Sequence, residues 1–170
     1  MNQIIEYTIK DSLLGKILLA NTKNGICALF IDNNPGFLHA QLQNAFPNAQ
    51  LNYIDSMLEK NVDQIIHYLI APKHDLKLKL DIRGTPFQKE VWNALCQIPL
   101  GKTMSYKEIA HKLKKPKAAR AIGSACAANR IAILIPCHRA LRCDGSISGY
   151  RWGIKRKKQL LKIEGIKCFT

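Results

Sequence analysis

Four consecutive residues, Pro136, Cys137, His138 and Arg139, place a potential nucleophile next to a potential base. Proline fixes its own φ angle and donates no backbone hydrogen bond, so we expect Cys137 to lie on a stiff corner of the chain. Positive charge on His138 and Arg139 would lower the pKa of the adjacent thiol and favour the thiolate, the nucleophilic form of cysteine. These residue types in this order predict nucleophilic chemistry at Cys137.

The proton of the Cys137 thiol needs an acceptor. If the segment is extended, neighbouring side chains point to opposite sides, so we expect His138 to act through a bridging water or a shared third group. A buried structural cysteine beside a core histidine is one alternative. A zinc site built from Cys126, Cys137, His138 and Cys143 is another. Adjacent ligands rarely bind one ion comfortably, so we expect no metal.

The basic residues of the chain are concentrated in its second half. The formal net charge of the 170 residues is +14. Residues 1–84 contain 8 Lys and Arg against 8 Asp and Glu, whereas residues 85–170 contain 18 against 4. This asymmetry favours a polyanion-binding half attached to a neutral half. A basic surface that only aids solubility is the alternative interpretation.

The cysteines and the apolar runs bear on the cellular compartment. The six cysteines are Cys27, Cys96, Cys126, Cys137, Cys143 and Cys168, and no two of them form a Cys-x-x-Cys pair. We therefore expect reduced thiols and no disulfide framework. No apolar run is long enough to span a membrane, and the first residues lack the pattern of a secretory signal. We expect a cytoplasmic protein with no membrane partner.

The first half of the chain has the pattern of a small sheet with helices. Lys23-Asn24-Gly25 is a hairpin-turn sequence, and Ser56 and Glu59 have the spacing of a capping box. The predicted elements are strands at residues 5–9, 16–20 and 26–31, helices at 36–46 and 56–70, and a strand at 76–82.

Helix signals dominate the second half. Thr85 with Gln88 and Ser105 with Glu108 are two predicted capping boxes, each at the start of a helix. A further short helix, rich in small residues, is predicted over residues 117–128. Two short helices joined by a brief turn predict a helix-turn-helix.

Charge and pattern both change near Gly84, so we expect two domains, residues 1–84 and 85–170. The predicted fold class is α+β. The first domain would be a small β-sheet with helices, and the second would be mostly α-helical and carry the helix-turn-helix.

Three runs of residues carry a family resemblance. They are Ala127-Ala128-Asn129, residues 133–139 (Ile-Leu-Ile-Pro-Cys-His-Arg) and residues 149–153 (Gly-Tyr-Arg-Trp-Gly). Together with residues 117–123 and Ser105-Tyr106, they resemble the signature of the O6-alkylguanine-DNA alkyltransferases. The resemblance covers roughly residues 84–165. The first half of the chain resembles the ribonuclease-H-like domain of that family only in its general character. The second half is expected to be winged-helix-like.

The resemblance implies DNA repair by direct transfer. The cysteine of such proteins takes the alkyl group from O6 of guanine, with O4-alkylthymine as a further candidate substrate, and each molecule reacts once. No cofactor is expected. The implied partner is alkylated double-stranded DNA bound through its minor groove, with the target base flipped out of the stack. We expect a monomer.

Carried over by position, the resemblance assigns catalytic roles to four residues. Cys137 would be the acceptor, and His138 would be a base that acts through water. Glu164 would orient and polarise His138, although the sequence alone favours a solvated residue before Gly165. Tyr106 would help to rotate the nucleotide and would donate a proton to the leaving guanine.

The resemblance also assigns DNA-contacting and pocket residues. Arg120 would fill the gap left by the flipped base, and the rest of the DNA-binding set is Lys117, Ala118, Ala119 and Ser124. Pocket and supporting residues would be Pro136, Arg139, Ala140, Asn129, Tyr150 and Arg151. Position 151 is an arginine followed by Trp152, a form that looks bacterial and leaves the accepted alkyl size open. The basic cluster at residues 155–158 is interpreted as a solvated, DNA-facing side of the last helix, in preference to a nuclear signal.

Three other functions compete with this interpretation. A module that flips alkylated bases without chemistry would lack the acceptor cysteine. A transcriptional regulator with an added zinc module needs more cysteines than Cys27, the one cysteine within residues 1–84. A thiol hydrolase that turns over would need an oxyanion hole, and no motif indicates one.

Overall fold

The computed structural model describes residues 3–56 and 58–167. The chain divides into two compact units, Met1–Ile82 and Arg83–Thr170. Among the described residues, no helix has the length and apolar character that crossing a membrane requires.

The first unit is built on a four-stranded sheet of order β3-β2-β1-β4. Strands β1 (Gln3–Ser12), β2 (Gly15–Thr22) and β3 (Gly25–Asp32) form consecutive antiparallel hairpins, which confirms the three strands predicted first. Gly25 follows the second turn with φ 142°, and a Cβ there would lie 2.6 Å from the carbonyl oxygen of Lys79. Only glycine fits this combination of backbone angle and close approach.

Two helices cover the sheet. Helix α1 (Pro35–Ala45) begins with Asn34, whose side chain accepts a hydrogen bond from the backbone N–H of Phe37, and it buries Leu38 and Leu42. Helix α2 (Glu59–Ile70) buries one face, which consists of Val62, Ile65, Tyr68 and Leu69. Burial of these apolar stripes against the strands forms the core of the first unit.

Two predictions for the first unit are wrong, and one strand was missed. Helix α2 begins at Glu59, with Leu58 as its N-cap, so the capping box of Ser56 and Glu59 does not form; Met57 lies outside the described residues. The predicted strand at 76–82 makes only one isolated bridge, between Leu80 and Ile26, because its alternating pattern reflects one-sided burial and not continuous pairing. Strand β4 (Ala49–Tyr53), which pairs in parallel with β1, was not predicted.

The second unit is mostly helical. Its elements are α3 (Pro86–Cys96), β5 (Met104–Ser105), α4 (Tyr106–Lys112), α5 (Ala119–Ala127), a 3-10 turn (Cys137–Arg139), β6 (Ala140–Leu141) and α6 (Ile154–Ile163). Both predicted capping boxes form, at Thr85–Gln88 and at Ser105–Glu108. The α+β fold class is therefore confirmed.

Helices α4 and α5 form the predicted helix-turn-helix. Lys114 has φ 58°, and this left-handed residue reverses the chain after α4. Helix α5 packs against α3, where the indole N–H of Trp92 donates to the carbonyl oxygen of Ala125 at 2.9 Å. Ile109 of α4 and Ile122 of α5 are fully buried, so both helices are fixed to the rest of the unit.

Candidate active site

Cys137 is the first residue of the 3-10 turn and is 3% exposed. Residues 131–135 lead into it as a turn, in which the β-branched Ile133 has φ 68°. The segment is not extended, because the backbone N–H of Cys137 donates to the carbonyl oxygen of Ile135 at 2.8 Å. The corner after Pro136 is nevertheless as constrained as the proline indicated.

The Asn129 side chain holds this corner together. Its Oδ1 accepts from the N–H of Ile131 at 2.9 Å, and its Nδ2 donates to the carbonyl oxygen of Ile135 at 3.0 Å. The same Nδ2 lies 3.3 Å from the Sγ atom of Cys137. Asn129 is fully buried, so one amide fixes both the turn and the sulfur.

His138, Glu164 and Arg139 form a buried cluster. Nε2 of His138 lies 2.8 Å from Oε1 of Glu164, and both side chains are 0% exposed. Arg139 donates two hydrogen bonds to the same carboxylate, from Nε to Oε2 at 2.9 Å and from Nη2 to Oε1 at 3.0 Å. Burial raises the pKa of the Glu164 carboxyl, but the contacts with His138 and Arg139 outweigh this effect and bring the pKa to about 2. Glu164 is therefore an anion at neutral pH.

The ionised Glu164 fixes the tautomer of His138. A carboxylate accepts hydrogen bonds only, so Nε2 of His138 must carry the proton in their shared bond. Nδ1 of His138 is buried and has no hydrogen-bond partner among the described residues. In the neutral ring this Nδ1 is an unprotonated acceptor, which is the form a general base requires.

The pKa of the Cys137 thiol is shifted in the direction opposite to the one expected from the sequence. Burial raises the pKa of the Cys137 thiol, and the hydrogen bond from Asn129 and the charges of Lys157 and Arg151 offset only part of this effect. The expectation that His138 and Arg139 lower this pKa is wrong, because the Arg139 charge is paired with Glu164. Cys137 therefore rests as a neutral thiol and needs a base to become nucleophilic.

Lys157 was not predicted to take part in the site. It is fully buried, and its Nζ donates to the carbonyl oxygen of Ala140 at 2.7 Å and approaches Oγ of Ser148 at 3.4 Å. The interpretation of residues 155–158 as a wholly solvated face is wrong at this position. The helical spacing of Lys157 with the buried Leu160 and Leu161 was the signal that could have placed it inside.

A pocket of about 640 Å³ opens onto the Cys137 thiol. Tyr106 lines it, and its hydroxyl forms a 2.5 Å hydrogen bond with Oγ of Ser148. Burial raises the pKa of the Tyr106 phenol, so it keeps its proton at neutral pH. The other lining residues are Lys107, Ala119, Arg120, Gly123, Cys126, Ala127, Arg142, Cys143, Ser148, Gly149, Tyr150 and Arg151.

The remaining predicted residues are divided between the pocket and its surroundings. Arg120 and Ala119 line the pocket from the start of α5. Lys117 and Ser124 are exposed and Ala118 is half-buried at the same helix, but these three do not line the pocket. Pro136 and Ala140 are buried and support the corner and the short β5–β6 pairing.

Cys126 and Cys143 line the pocket, but the described cysteines form neither a disulfide nor part of a metal site. The five cysteines that the structure describes form no disulfide, and Cys168 lies outside the described residues. Within residues 3–56 and 58–167, no group of three or more His, Cys, Asp or Glu side chains could hold a metal ion.

The structure combines a helix-turn-helix, a pocket that reaches the buried Cys137 thiol, and a His–Glu–Arg cluster that begins at the residue after this cysteine. This combination is typical of a DNA-binding protein with a cysteine nucleophile. Two family models match the chain. The ribonuclease-like domain of 6-O-methylguanine DNA methyltransferase matches residues 5–82, and the DNA-binding domain of the same family matches residues 86–166. The chain belongs to the 6-O-methylguanine DNA methyltransferase family.

Curated relatives agree with this assignment. The chain is 47% identical over 163 residues to the bifunctional transcriptional activator/DNA repair enzyme Ada of Escherichia coli, covering 96% of this chain and 46% of Ada. It therefore spans about half the length of that relative. It is 40% identical over 160 residues to the methylated-DNA–protein-cysteine methyltransferase of Methanosarcina barkeri, covering 93% of this chain and 96% of that protein.

Solved structures share the fold. The Mycobacterium tuberculosis O6-methylguanine methyltransferase superposes with a TM-score of 0.79 at 36% identity, covering 94% of this chain and 92% of that one. A structure of the Mycobacterium tuberculosis protein in complex with DNA gives a TM-score of 0.80 at the same identity and coverage.

Proposed function

We propose that this protein repairs DNA by moving an alkyl group from O6 of guanine onto the sulfur of Cys137. The observation that carries this proposal is the position of the Cys137 thiol at a pocket beside the helix-turn-helix, next to a histidine whose tautomer is fixed by Glu164. The names of the relatives, which include methylated-DNA–protein-cysteine methyltransferases, support the same reaction.

In the proposed reaction, Nδ1 of His138 takes the thiol proton through a bridging water. The Glu164 carboxylate stabilises the imidazolium that forms, in the manner of the acid in a hydrolase triad. The thiolate then attacks the alkyl carbon, so that a C–S bond forms while the C–O bond to guanine breaks. A proton from the Tyr106 phenol reaches the departing guanine, and the proton held by His138 restores the phenol. The products are a thioether and unmodified guanine.

The reaction ends after one turnover in this proposal. A thioether is not readily hydrolysed, so the alkyl group stays on the sulfur of Cys137, which is 3% exposed. No cofactor is needed, because a thiolate displaces an oxygen leaving group without redox or metal chemistry.

DNA recognition is proposed to use helix α5. A paired base hides its O6 alkyl group inside the stack, so the nucleotide must be flipped into the pocket. Arg120 lies on the exposed side of α5 and lines the pocket, where its side chain can replace the flipped base. Small residues at Ala118, Ala119 and Ser124 permit a close approach of the helix to the minor groove.

We also propose two functional domains, residues 1–84 and 85–170, in a protein that acts as a monomer in the cytoplasm. The division of the chain into compact units at residues 82 and 83 supports the domain boundary. The net positive charge of residues 85–170 supports DNA binding by the second domain. Reduced thiols at the described cysteines fit a reducing compartment.

Incubation with an excess of a duplex that contains one O6-methylguanine tests the proposal. We expect one methyl group to be transferred per protein molecule, with no further turnover, and binding to weaken as salt is added. Binding without transfer would support a base-flipping module without chemistry. Repeated turnover would support a thiol hydrolase, and either result would overturn the proposal.

A further inference from the structure

The charged side chains that line the pocket are all basic. They are Lys107, Arg120, Arg142 and Arg151, and no Asp or Glu is among the lining residues. Cations that contact DNA phosphates bind every substrate alike, so they do not distinguish one alkyl group from another. A cation held beside the reacting carbon would distinguish them.

Arg151 lines the pocket and is bound to a residue that also contacts the reacting sulfur. Its Nη1 donates to the backbone carbonyl oxygen of Asn129 at 3.1 Å, and Nδ2 of the same Asn129 lies 3.3 Å from Sγ of Cys137. The guanidinium carbon of Arg151 also lies 5.7 Å from the centre of the Trp152 ring. The guanidinium and the reacting sulfur are thus fixed to one buried residue, on the wall of one pocket.

The guanidinium is suited to binding a carboxylate. It keeps its positive charge and presents N–H donors in one plane, the geometry that pairs with the two oxygens of a carboxylate. The electrostatic influence of Arg151 reaches the reaction centre, because its charge is among those that lower the pKa of the Cys137 thiol against the raising effect of burial.

We infer that the pocket favours O6-alkyl groups that carry a carboxylate, such as carboxymethyl, over neutral groups of the same size, and that Arg151 sets this preference. The inference rests on the proposed function and names a substrate class for the same site. The bonds made and broken are unchanged: the C–S bond forms, the C–O bond to guanine breaks, and the thiol proton is balanced by the proton that guanine gains. The carboxylate takes no part in the reaction. The positive charge of Arg151 offsets the repulsion between the carboxylate of the alkyl group and the incoming thiolate.

Two duplexes with isosteric lesions test the inference. One carries O6-carboxymethylguanine and the other O6-carbamoylmethylguanine, which differ in charge but hardly in size. Single-turnover rates would be measured for the wild-type protein and for the Arg151→Gln, Arg151→Lys and Lys89→Gln variants. Lys89 is an exposed residue of α3 that does not line the pocket, so it controls for a general loss of positive charge.

We expect the ratio of the carboxymethyl rate to the carbamoylmethyl rate to fall about tenfold in Arg151→Gln, the effect of about one charge-assisted hydrogen bond. Arg151→Lys should keep most of the ratio, and Lys89→Gln should keep all of it. An unchanged ratio in Arg151→Gln, or an equal fall in Lys89→Gln, would overturn the inference. Methyl transfer by the wild-type protein is measured in parallel. Its absence would mean that the proposed function itself fails, whereas methyl transfer with an unchanged ratio would remove only the role of Arg151.

Discussion

Nε2 of His138 lies 2.8 Å from Oε1 of Glu164, and neither side chain is exposed to solvent. Because Glu164 is an anion that only accepts hydrogen bonds, this contact places a proton on Nε2, so that Nδ1 is the acceptor nitrogen of the neutral His138 ring. Cys137, whose pKa is raised by burial, depends on such a base to lose its proton. The relation between His138 and Glu164 therefore links the fold of the second unit to the reactivity of the thiol.

Replacing Glu164 with Gln should slow alkyl transfer about 100-fold, because a neutral amide stabilises the imidazolium of His138 less than a carboxylate does. The rate is measured under single-turnover conditions on protein shown to be folded by circular dichroism. Glu90→Gln, at an exposed residue of α3, is the matched control and should react at the wild-type rate. A normal rate in Glu164→Gln would remove the carboxylate from the mechanism.

Glu164 should also make the stability of the protein depend on acid pH. Its pKa falls from 4.5 to about 2 on folding, so the unfolded chain binds more protons between these values. This contribution, on the order of 3 kcal/mol, is complete above pH 4.5 and is lost as the pH falls toward 2. Urea unfolding at a series of pH values should show this loss in the wild-type protein and a smaller one in Glu164→Gln. Equal pH dependence in both proteins would contradict the assignment.

The buried Lys157 should support the thiolate of Cys137. Its positive charge is among the effects that lower the pKa of this thiol, so Lys157→Met should move the pH profile of Cys137 alkylation by iodoacetamide to higher pH. Lys158→Met removes a charge from the exposed neighbouring position and should leave the profile in place. Peptide mapping by mass spectrometry follows Cys137 alone. Identical profiles in the two variants would argue against an electrostatic role of Lys157.

Arg120→Ala should impair repair of O6-methylguanine in duplex DNA at least tenfold more than reaction with the free base O6-methylguanine. The physical reason is that only the duplex loses stacking when its base is flipped, at a cost of a few kcal/mol that Arg120 offsets. Lys112→Ala, near the end of α4 and outside the pocket lining, is the control for lost charge. Equal impairment of both reactions by Arg120→Ala would exclude a role in flipping.

Cys137→Ser should abolish alkyl transfer while DNA binding persists, because a hydroxyl is a far weaker nucleophile than a thiolate at neutral pH. Cys96→Ser, at an exposed cysteine of α3, should transfer normally. Transfer and duplex binding are measured on the same preparations. Transfer that survives in Cys137→Ser would move the acceptor to another cysteine.

Of the three capping boxes that the sequence predicted, two form. The capping boxes at Thr85 and Ser105 depend on residues three positions apart, and both form as predicted. The box at Ser56 failed although its residue types were suitable, because the helix begins at Glu59. Strand β4 is held by parallel pairing with β1, which is distant in sequence, so no local pattern indicated it.

The chemistry of the site was only partly predictable. Residue types predicted a nucleophile at Cys137. The resemblance predicted the contact between Glu164 and His138, which the structure shows and which spacing alone does not indicate, since the two residues are 26 positions apart. The thiol pKa was predicted in the wrong direction, because burial and the pairing of Arg139 with Glu164 are properties of the folded chain. Lys157 was missed because a run of basic residues is usually solvated, while one member of this run faces the core.

Intact-protein mass spectrometry after reaction with a duplex that bears one O6-methylguanine tests the central claim most directly. We expect a mass increase of one methyl group that saturates at one per molecule, maps to Cys137 and is absent from Cys137→Ser. An unchanged mass while the duplex remains bound would contradict alkyl transfer by this protein, and a methyl group on any other residue would contradict the assignment of Cys137 as the acceptor.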